Sequence, residues 1–120
     1  MHELSIAASI VEAVTDTVSQ YPGARVKEVR LHVGALASVV EDSLQFCWEV
    51  SIEGTPLAGS NLVVKILPVL VHCAACGKQG ELAGLQSFRC PHCGEPASDV
   101  RQGRELEIES IEIDGVEEVV

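Results

Sequence analysis

The chain has 120 residues, 47% of them apolar and 22% charged, which is the composition of a folded domain rather than of a disordered segment. Its 18 acidic side chains outnumber 8 basic ones and give a net charge of −10, so its surface would repel a phosphate backbone. Aromatic residues make up 3%, too few for the stacking platforms that bind single strands. No apolar run approaches the roughly 20 residues that cross a bilayer. Neither a nucleic acid nor a membrane is therefore an expected partner.

The cysteines and the first residues bear on the cellular compartment. Four of the five cysteines form two C-x-x-C pairs and Cys47 stands alone, a pattern that fits metal binding in a reducing compartment better than a disulfide framework. The start carries Glu3 and Glu12 where a secretory signal would carry lysine or arginine. A cytoplasmic location is therefore expected.

Residues 4–20 predict an amphipathic helix, because apolar side chains recur there at steps of three and four. Pro22 ends the pattern, since proline disfavours the helical conformation of the residue before it. Residues 29–33 alternate between apolar and polar side chains, which predicts a strand with one buried face, ended by Gly34. The residues expected on the buried face of the helix are Leu4, Ala7, Ala8, Val11, Val14 and Val18.

A second helix is expected to begin near Ser38, because Ser38 and Glu41 have the spacing of a capping box, in which each side chain bonds the backbone N–H of the other residue. The Gly-Thr-Pro sequence at 54–56 ends this helix. Strands are predicted at 62–71 and at 106–113, and a proline within the first of them implies an edge position or a bulge.

Residues 72–104, between these last two strands, form a segment of a different kind. The segment holds four of the five cysteines and few large apolar side chains, so it should need a metal to fold. The chain would leave a sheet before this segment and return to the sheet after it. The predicted organisation is therefore one domain made of 1–71 plus 105–120 and an inserted four-cysteine domain at 72–104.

Cys73-Ala-Ala-Cys76-Gly and Cys90-Pro-His-Cys93-Gly are two short turns separated by 13 residues. Each turn presents two thiolates to one ion, and the final glycine permits the left-handed conformation that points backbone N–H groups at sulfur. Four thiolates favour a tetrahedral site, for which zinc is the leading candidate. A site with four protein ligands has no open position for a substrate water, so the zinc is expected to be structural. Iron in the same ligands would make a rubredoxin-like electron carrier, an alternative that the ligand set leaves open.

Two histidines flank the cysteines. His72 precedes the first pair and His92 lies within the second, so either could replace a thiolate or tune the site. We expect both to lie outside the ligand set, exposed to solvent or donating hydrogen bonds near the sulfur atoms. The few basic residues of 72–104 form no stripe, which favours protein contact over nucleic-acid contact.

The start of the chain, Met1-His2-Glu3, is a second candidate metal site. The α-amine of Met1, the amide nitrogen of His2 and the imidazole Nδ1 of His2 can close two adjoining chelate rings in one plane, which suits Ni(II) or Cu(II). Glu3 could add a donor through its backbone or carboxylate, and Glu41 is another carboxylate that could do so. By itself this motif is weak evidence for a metal site, because every chain begins with methionine and a histidine at position 2 can arise by chance.

The order of these motifs resembles one known family. Met1-His2-Glu3-Leu4-Ser5, a first helix, the segments 29–40 and 42–46 and the paired cysteines together resemble the HypA/HybF hydrogenase nickel-incorporation proteins, over nearly the whole chain. Members of that family are small metallochaperones of [NiFe]-hydrogenase maturation.

The resemblance implies an α+β fold in which two helices pack on a three-stranded mixed sheet, with a zinc-ribbon-like domain inserted before the last strand. It implies that Ni(II) is held transiently at Met1, His2 and Glu3, and that Glu41 lies near a position where some members have a carboxylate affecting nickel. The implied partners are a HypB-type GTPase and the hydrogenase large subunit. The residues implied to hold a structural Zn(II) are Cys73, Cys76, Cys90 and Cys93.

Three classes of function remain on this reading of the sequence. The leading one is a nickel metallochaperone, and the second is a zinc-ribbon interaction or regulatory module in which Met1-His2-Glu3 is incidental. The third is the rubredoxin-like electron carrier. An enzyme is not expected, because the sequence has no nucleophile with a nearby base motif, no phosphate-binding loop and no open zinc site.

Overall fold

The structure of the protein is a computed structural model that describes residues 3–84 and 87–114. The strands form two three-stranded sheets, a mixed sheet of order β2-β1-β6 and an antiparallel sheet of order β4-β3-β5. Neither helix of the described residues is long and apolar enough to cross a membrane. The elements in chain order are α1 Glu3–Val18, β1 Arg25–Gly34, α2 Glu41–Ser51, β2 Asn61–Leu67, β3 Leu70–His72, β4 Gln79–Glu81, β5 Asp99–Gln102 and β6 Leu106–Asp114. The predicted fold class, two helices with a mixed sheet and a further module before the last strand, is confirmed.

The described residues divide into two compact units. The helix–sheet unit contains the residues up to Leu31, Val39–Lys65 and those from Ile108 onward. The cysteine unit contains His32–Ser38 and Ile66–Glu107, and so includes the whole segment for which an inserted domain is predicted. The domain boundaries at 72 and 104 stay a prediction, since compactness alone does not say which segment carries which function.

The helix–sheet unit has an apolar core between its two helices and its strands. Helices α1 and α2 pack against each other, and Leu44 and Trp48 of α2 are 0% and 1% exposed. The Trp48 indole N–H donates to the backbone carbonyl of Ser60 at 3.4 Å, so the one polar atom of this side chain is paired. Each fully buried aliphatic side chain here contributes about 1.5–3 kcal/mol of transfer free energy.

The buried face of α1 differs from the predicted one at its edges. Leu4 is 54% exposed and Ala8 is exposed, whereas Ile6 and Ile10 are buried. The apolar stripe of this helix is wider than the face that it can bury, so periodicity identifies the helix but does not decide which edge of the stripe faces inward. The residues buried as predicted are Ala7, Val11, Val14 and Val18.

Helix α2 begins at Glu41 without the predicted capping box. Ser38 has a φ of 57°, a left-handed conformation, and the N-cap residue Val40 has no side-chain cap of its own. The Val40 N–H instead donates to the Glu3 carboxylate oxygen Oε2 at 3.1 Å. In a capping box a glutamate three residues after the N-cap takes this N–H, and here a glutamate from another helix does so. The prediction was wrong because sequence spacing cannot reveal a cap supplied from 37 residues away.

The strand predicted over 62–71 is two strands. It breaks at Pro68, between β2 and β3, because proline has no N–H to donate to a neighbouring strand. The freed carbonyl of Pro68 accepts a hydrogen bond from the Gln102 side-chain amide at 3.0 Å. The break separates a strand of the first sheet from the central strand of the second.

Two chain segments of the cysteine unit approach closely at Gly34. The Gly34 N–H donates to the Glu105 carbonyl at 2.7 Å, and a Cβ on Gly34 would lie 2.1 Å from the carbonyl carbon of Gly103. Backbone cannot give way as a flexible side chain can, so any side chain at this position would force a shift of the chain. Gly34, which the sequence suggested only as a strand end, is a site of close backbone packing.

Candidate metal centre

The two C-x-x-C turns have the same backbone conformation. The Gly77 N–H donates to the Cys73 carbonyl at 2.7 Å, and the Gly94 N–H donates to the Cys90 carbonyl at 2.9 Å. Both glycines have positive φ, 72° and 80°, which residues with a side chain rarely adopt. The sequence folds locally into two matching turns, each with both sulfur atoms on one side.

The four sulfur atoms of these turns form a cage. The Sγ atoms of Cys73 and Cys93 are 3.6 Å apart, those of Cys76 and Cys90 are also 3.6 Å apart, and all four lie within 4.8 Å of one another. A tetrahedral ion with metal–sulfur bonds of about 2.3 Å would hold its sulfur ligands about 3.8 Å apart. Within residues 3–84 and 87–114 this is the one group of three or more metal-ligating side chains close enough to share an ion.

The cage is buried on one side and open on the other. Cys73 and Cys90, the first cysteine of each turn, are 0% and 3% exposed, whereas Cys93 is exposed. These two buried cysteines belong to a small apolar cluster whose other members come from neighbouring segments of the cysteine unit. The members of that cluster are Val69, Val71, Cys73, Leu82, Cys90 and Ala97.

The thiols of the cage differ in acidity. Burial works to raise the pKa of Cys90, but the backbone N–H groups of Cys93 and His92 outweigh it and lower that pKa to about 6. At Cys93 the backbone N–H of Glu95 lowers the pKa, but burial and the neighbouring cysteine sulfur atoms outweigh it and raise that pKa to about 12. Cys90 therefore ionises before Cys93, and a cation at the centre of the cage would favour the thiolate form of both.

The His92 side chain connects the second cysteine turn to strand β4. Its Nε2 lies 3.2 Å from the Gln79 backbone carbonyl, and Gly80 faces the Pro91 ring so closely that a Cβ would lie 2.4 Å from Pro91 Cγ. Glycine at position 80 therefore lets the second turn lie against β4. The second cysteine turn thus lies against β4, and no spacing signal in the sequence indicates this contact.

His72 has a different neighbour. It pairs with Asp99 in the β3–β5 ladder, and its Nδ1 lies 3.8 Å from the Asp99 carboxylate, which also accepts a hydrogen bond from Arg101 at 2.7 Å. The Arg101 hydrogen bond lowers the pKa of that carboxyl below its ordinary value. Neither His72 nor His92 belongs to the group of cage atoms. Their predicted roles near the sulfur atoms stay a prediction.

The predicted nickel residues lie at the start of α1. Met1 and His2 fall outside the described residues, and Glu3 is the first residue of the helix. The Glu3 carboxylate contacts the N-cap of α2, and Glu41, the exposed first residue of that helix, follows directly. The structure thus brings Glu3 next to the helix end that carries Glu41, two residues that are far apart in the sequence.

The fold and the cage define a class of protein: a small helix–sheet protein with an inserted four-thiolate module that could hold one tetrahedral ion. The chain belongs to a known family within that class, the HypA family of metallochaperones for hydrogenase and urease nickel incorporation, whose sequence profile matches residues 1–113. The hydrogenase maturation factor HypA of Chloroflexus aurantiacus is 43% identical over 112 residues, which cover 93% of this chain and 98% of that protein. The corresponding factor of Desulfosudis oleivorans is 40% identical, covering 94% of this chain and 98% of that protein.

Two solved structures have the same fold. The solution structure of the Ni metallochaperone HypA from Helicobacter pylori matches with a TM-score of 0.63 and 19% identity, covering 93% of this chain and 97% of that one. A second solution structure of a HypA protein matches with a TM-score of 0.66 and 18% identity, covering 96% and 98%. At these identities the likeness concerns the arrangement of helices and strands.

Proposed function

We propose that this protein binds Ni(II) at Met1, His2 and Glu3 and delivers it to the large subunit of a [NiFe]-hydrogenase, without a catalytic step of its own. The observation that carries the proposal is the extent of the family match, which spans residues 1–113 and so includes both the start motif and the cysteine cage. In this proposal nickel is the ion that is delivered, whereas the ion in the cysteine cage has a structural role.

Zn(II) is the ion proposed for the cage of Cys73, Cys76, Cys90 and Cys93. Sulfur separations of 3.6 Å agree with a tetrahedral zinc–thiolate site, which needs about 3.8 Å. Four thiolates fill the coordination of zinc, so such an ion would cross-link two turns and would leave no position for a substrate. Metal analysis of purified protein tests this identity, because one equivalent of iron with visible absorption would instead favour the electron carrier.

Glu3 is proposed to position the nickel site as well as to take part in it. One oxygen of its carboxylate accepts the Val40 N–H, which holds the first turn of α1 against the start of α2. In this role Glu3 anchors the first turn of α1, and its backbone is the group proposed as a donor to nickel. Glu41 is proposed as a nearby carboxylate that raises the local negative charge and so favours a divalent cation.

Nickel titration of untagged, zinc-replete protein tests the proposal. Wild type should bind one equivalent, and His2→Ala should lose this binding while its zinc content stays unchanged. Glu3→Gln keeps an oxygen acceptor for Val40 and should bind nickel better than Glu3→Ala, which removes both the cap and the charge. A protein with residues added before Met1 should lose the high-affinity site, and equal nickel binding by this extended protein would overturn the amine ligand.

The proposed ligands make nickel binding depend on pH. The amine, the amide nitrogen and the imidazole must all lose or lack a proton to bind, so nickel affinity should fall as pH drops below neutrality. An isotherm that stays the same from mildly acidic to mildly alkaline buffer would contradict this ligand set.

The proposed partners are a HypB-type GTPase and the hydrogenase large subunit, in the cytoplasm. A four-thiolate cage requires reduced cysteines, which supports a reducing compartment. The test is transfer of nickel from the loaded protein to a purified large-subunit precursor, with His2→Ala protein as the matched control. Equal transfer from both proteins would show that the start motif is not the donor site.

A further inference from the structure

The second half of α2 carries two exposed apolar side chains. Phe46 is 67% exposed and Val50 is 54% exposed, and no large apolar residue of the described part is more exposed than Phe46. Four residues apart, the two side chains are neighbours on one face of the helix. The core contacts of α2 come from Leu44 and Trp48, so the folding of this unit does not account for a phenylalanine in solvent.

Carboxylates flank this apolar pair. Asp42, Glu49 and Glu53 are exposed, and within residues 3–84 and 87–114 no hydrogen bond or ion pair holds Glu49 or Glu53. The last turn of α2 contains no basic residue. The carboxyl end of a helix carries partial negative charge, so acidic side chains placed there lower helix stability rather than raise it. These two glutamates thus stabilise neither the helix nor a contact within the described chain.

We propose that the outer face of α2 together with the turn that follows it is a docking site for a basic amphipathic helix of a partner protein. This surface, called the α2 outer face, consists of Asp42, Phe46, Glu49 and Val50 of the helix and Glu53 of the turn. Aliphatic side chains of the partner would cover Phe46 and Val50. Its lysine or arginine side chains would meet the carboxylates and the negative end of α2, and an arginine could also stack on the Phe46 ring.

The charge of the chain selects this occupant over others. A net charge of −10 opposes contact with a second copy of the same chain and with an anionic lipid surface. Two exposed apolar groups among carboxylates match a partner that combines apolar anchors with positive charge. The docking site lies within the helix–sheet unit and does not rest on the proposed nickel ligands.

A synthetic peptide serves as the probe. A fluorescein-labelled amphipathic peptide with leucine on one face and lysine on the others is titrated with zinc-replete, full-length protein and followed by fluorescence anisotropy. A second peptide replaces each lysine by glutamate, and a third replaces each leucine by alanine. Only the first peptide should bind tightly, and equal binding of the alanine version would overturn the proposal in favour of charge attraction alone.

Variants then locate the site. Phe46→Ser with Val50→Ser should weaken binding about tenfold or more, as removal of a central anchor does. Glu49→Gln with Glu53→Gln should weaken it by a smaller factor, and the loss should shrink as salt is raised. The matched controls are Tyr21→Ser, an aromatic residue 44% exposed, and Glu12→Gln with Asp16→Asn on the exposed side of α1. Both should bind the peptide within about twofold of wild type.

Three results would overturn the proposal. Unchanged peptide binding by the Phe46→Ser, Val50→Ser protein would exclude the α2 outer face, provided that its circular dichroism matches wild type. A wild-type dimer in light scattering that becomes a monomer in the same variant would assign this face to a second copy. Equal losses in the variants and in the α1 control would likewise show attraction to the acidic surface as a whole.

Discussion

The two units of the molecule are stabilised by different means. The helix–sheet unit buries long runs of aliphatic side chains together with Trp48, so its fold follows from the removal of apolar area from water. The cysteine unit buries six small or medium-sized side chains in its cluster, and two of those are cysteines of the cage. The first unit is stabilised by many apolar contacts, whereas the second would also be stabilised by four metal–sulfur bonds once the proposed ion is bound.

The two units should respond differently to substitution. An apolar core loses stability in proportion to the atoms removed, and the unit keeps its shape through the contacts that remain. A cage of four ligands has no such reserve, because the loss of one thiolate removes a quarter of the donors that hold the ion, and metal binding is coupled to folding. Single substitutions should therefore have graded effects on the stability of the helix–sheet unit, whereas any cysteine substitution in the cage should lower metal affinity strongly.

The largest effect is expected from Cys73→Ser. Cys73 is fully buried and supplies one of the four sulfur atoms, so zinc affinity should fall by more than about 100-fold. Amide hydrogen exchange should then become fast over 66–107, while the amides of α1 stay protected. Cys47→Ser, which lies outside the cage, is the control and should keep one zinc. Loss of protection in α1 as well would contradict independent stabilisation of the two units.

Leu44→Ala should destabilise the apolar core of the helix–sheet unit without affecting the cysteine cage. Leu44 is 0% exposed, so the variant should lose about 2–5 kcal/mol of unfolding free energy in urea denaturation while its zinc content stays at one equivalent. Phe46→Ala, two residues along the same helix and 67% exposed, should change stability by less than about 0.5 kcal/mol. Equal costs for the two variants would show that burial does not govern this helix.

Gly34→Ala should have an intermediate effect. The new Cβ would meet the Gly103 backbone at 2.1 Å, and the required backbone shift should cost about 1–3 kcal/mol of unfolding free energy. Gly84→Ala is the matched control, because a Cβ there meets nothing within 4 Å. If thermal unfolding places both variants at the same midpoint, the close approach at Gly34 is not a constraint on folding.

The smallest effect concerns protons released on zinc binding. Cys90 has a pKa of about 6 and is already ionised at pH 7, whereas Cys93, with a pKa of about 12, must lose its proton. Calorimetry in buffers of different ionisation enthalpy should show one proton fewer for Cys93→Ser than for wild type, and no change for Cys90→Ser. As pH falls below about 6, Cys90 also becomes protonated, and zinc affinity should then fall more steeply. One proton fewer in Cys90→Ser would contradict this order of acidities.

Sequence patterns predicted most elements of the fold. The helical period over 4–20 and the alternation over 29–33 correspond to α1 and to part of β1, because each pattern reports a local backbone repeat. Pro68 indicated the irregularity that separates β2 from β3. The cysteine spacing predicted the cage, because two residues per turn and a glycine suffice to build each half.

The features that residue patterns predicted are therefore local ones: the two cysteine turns, the periods of the helices and longer strands, and the set of thiols that can share an ion. Contacts between distant segments determine which edge of α1 is buried, that Glu3 caps α2, and that Gly34 and Gly80 lie too close to other segments for a side chain to fit without a shift. The physical reason is that these features arise where segments distant in the chain come within van der Waals or hydrogen-bond distance. The periodicity or residue spacing of one segment does not indicate which distant segment will pack against it.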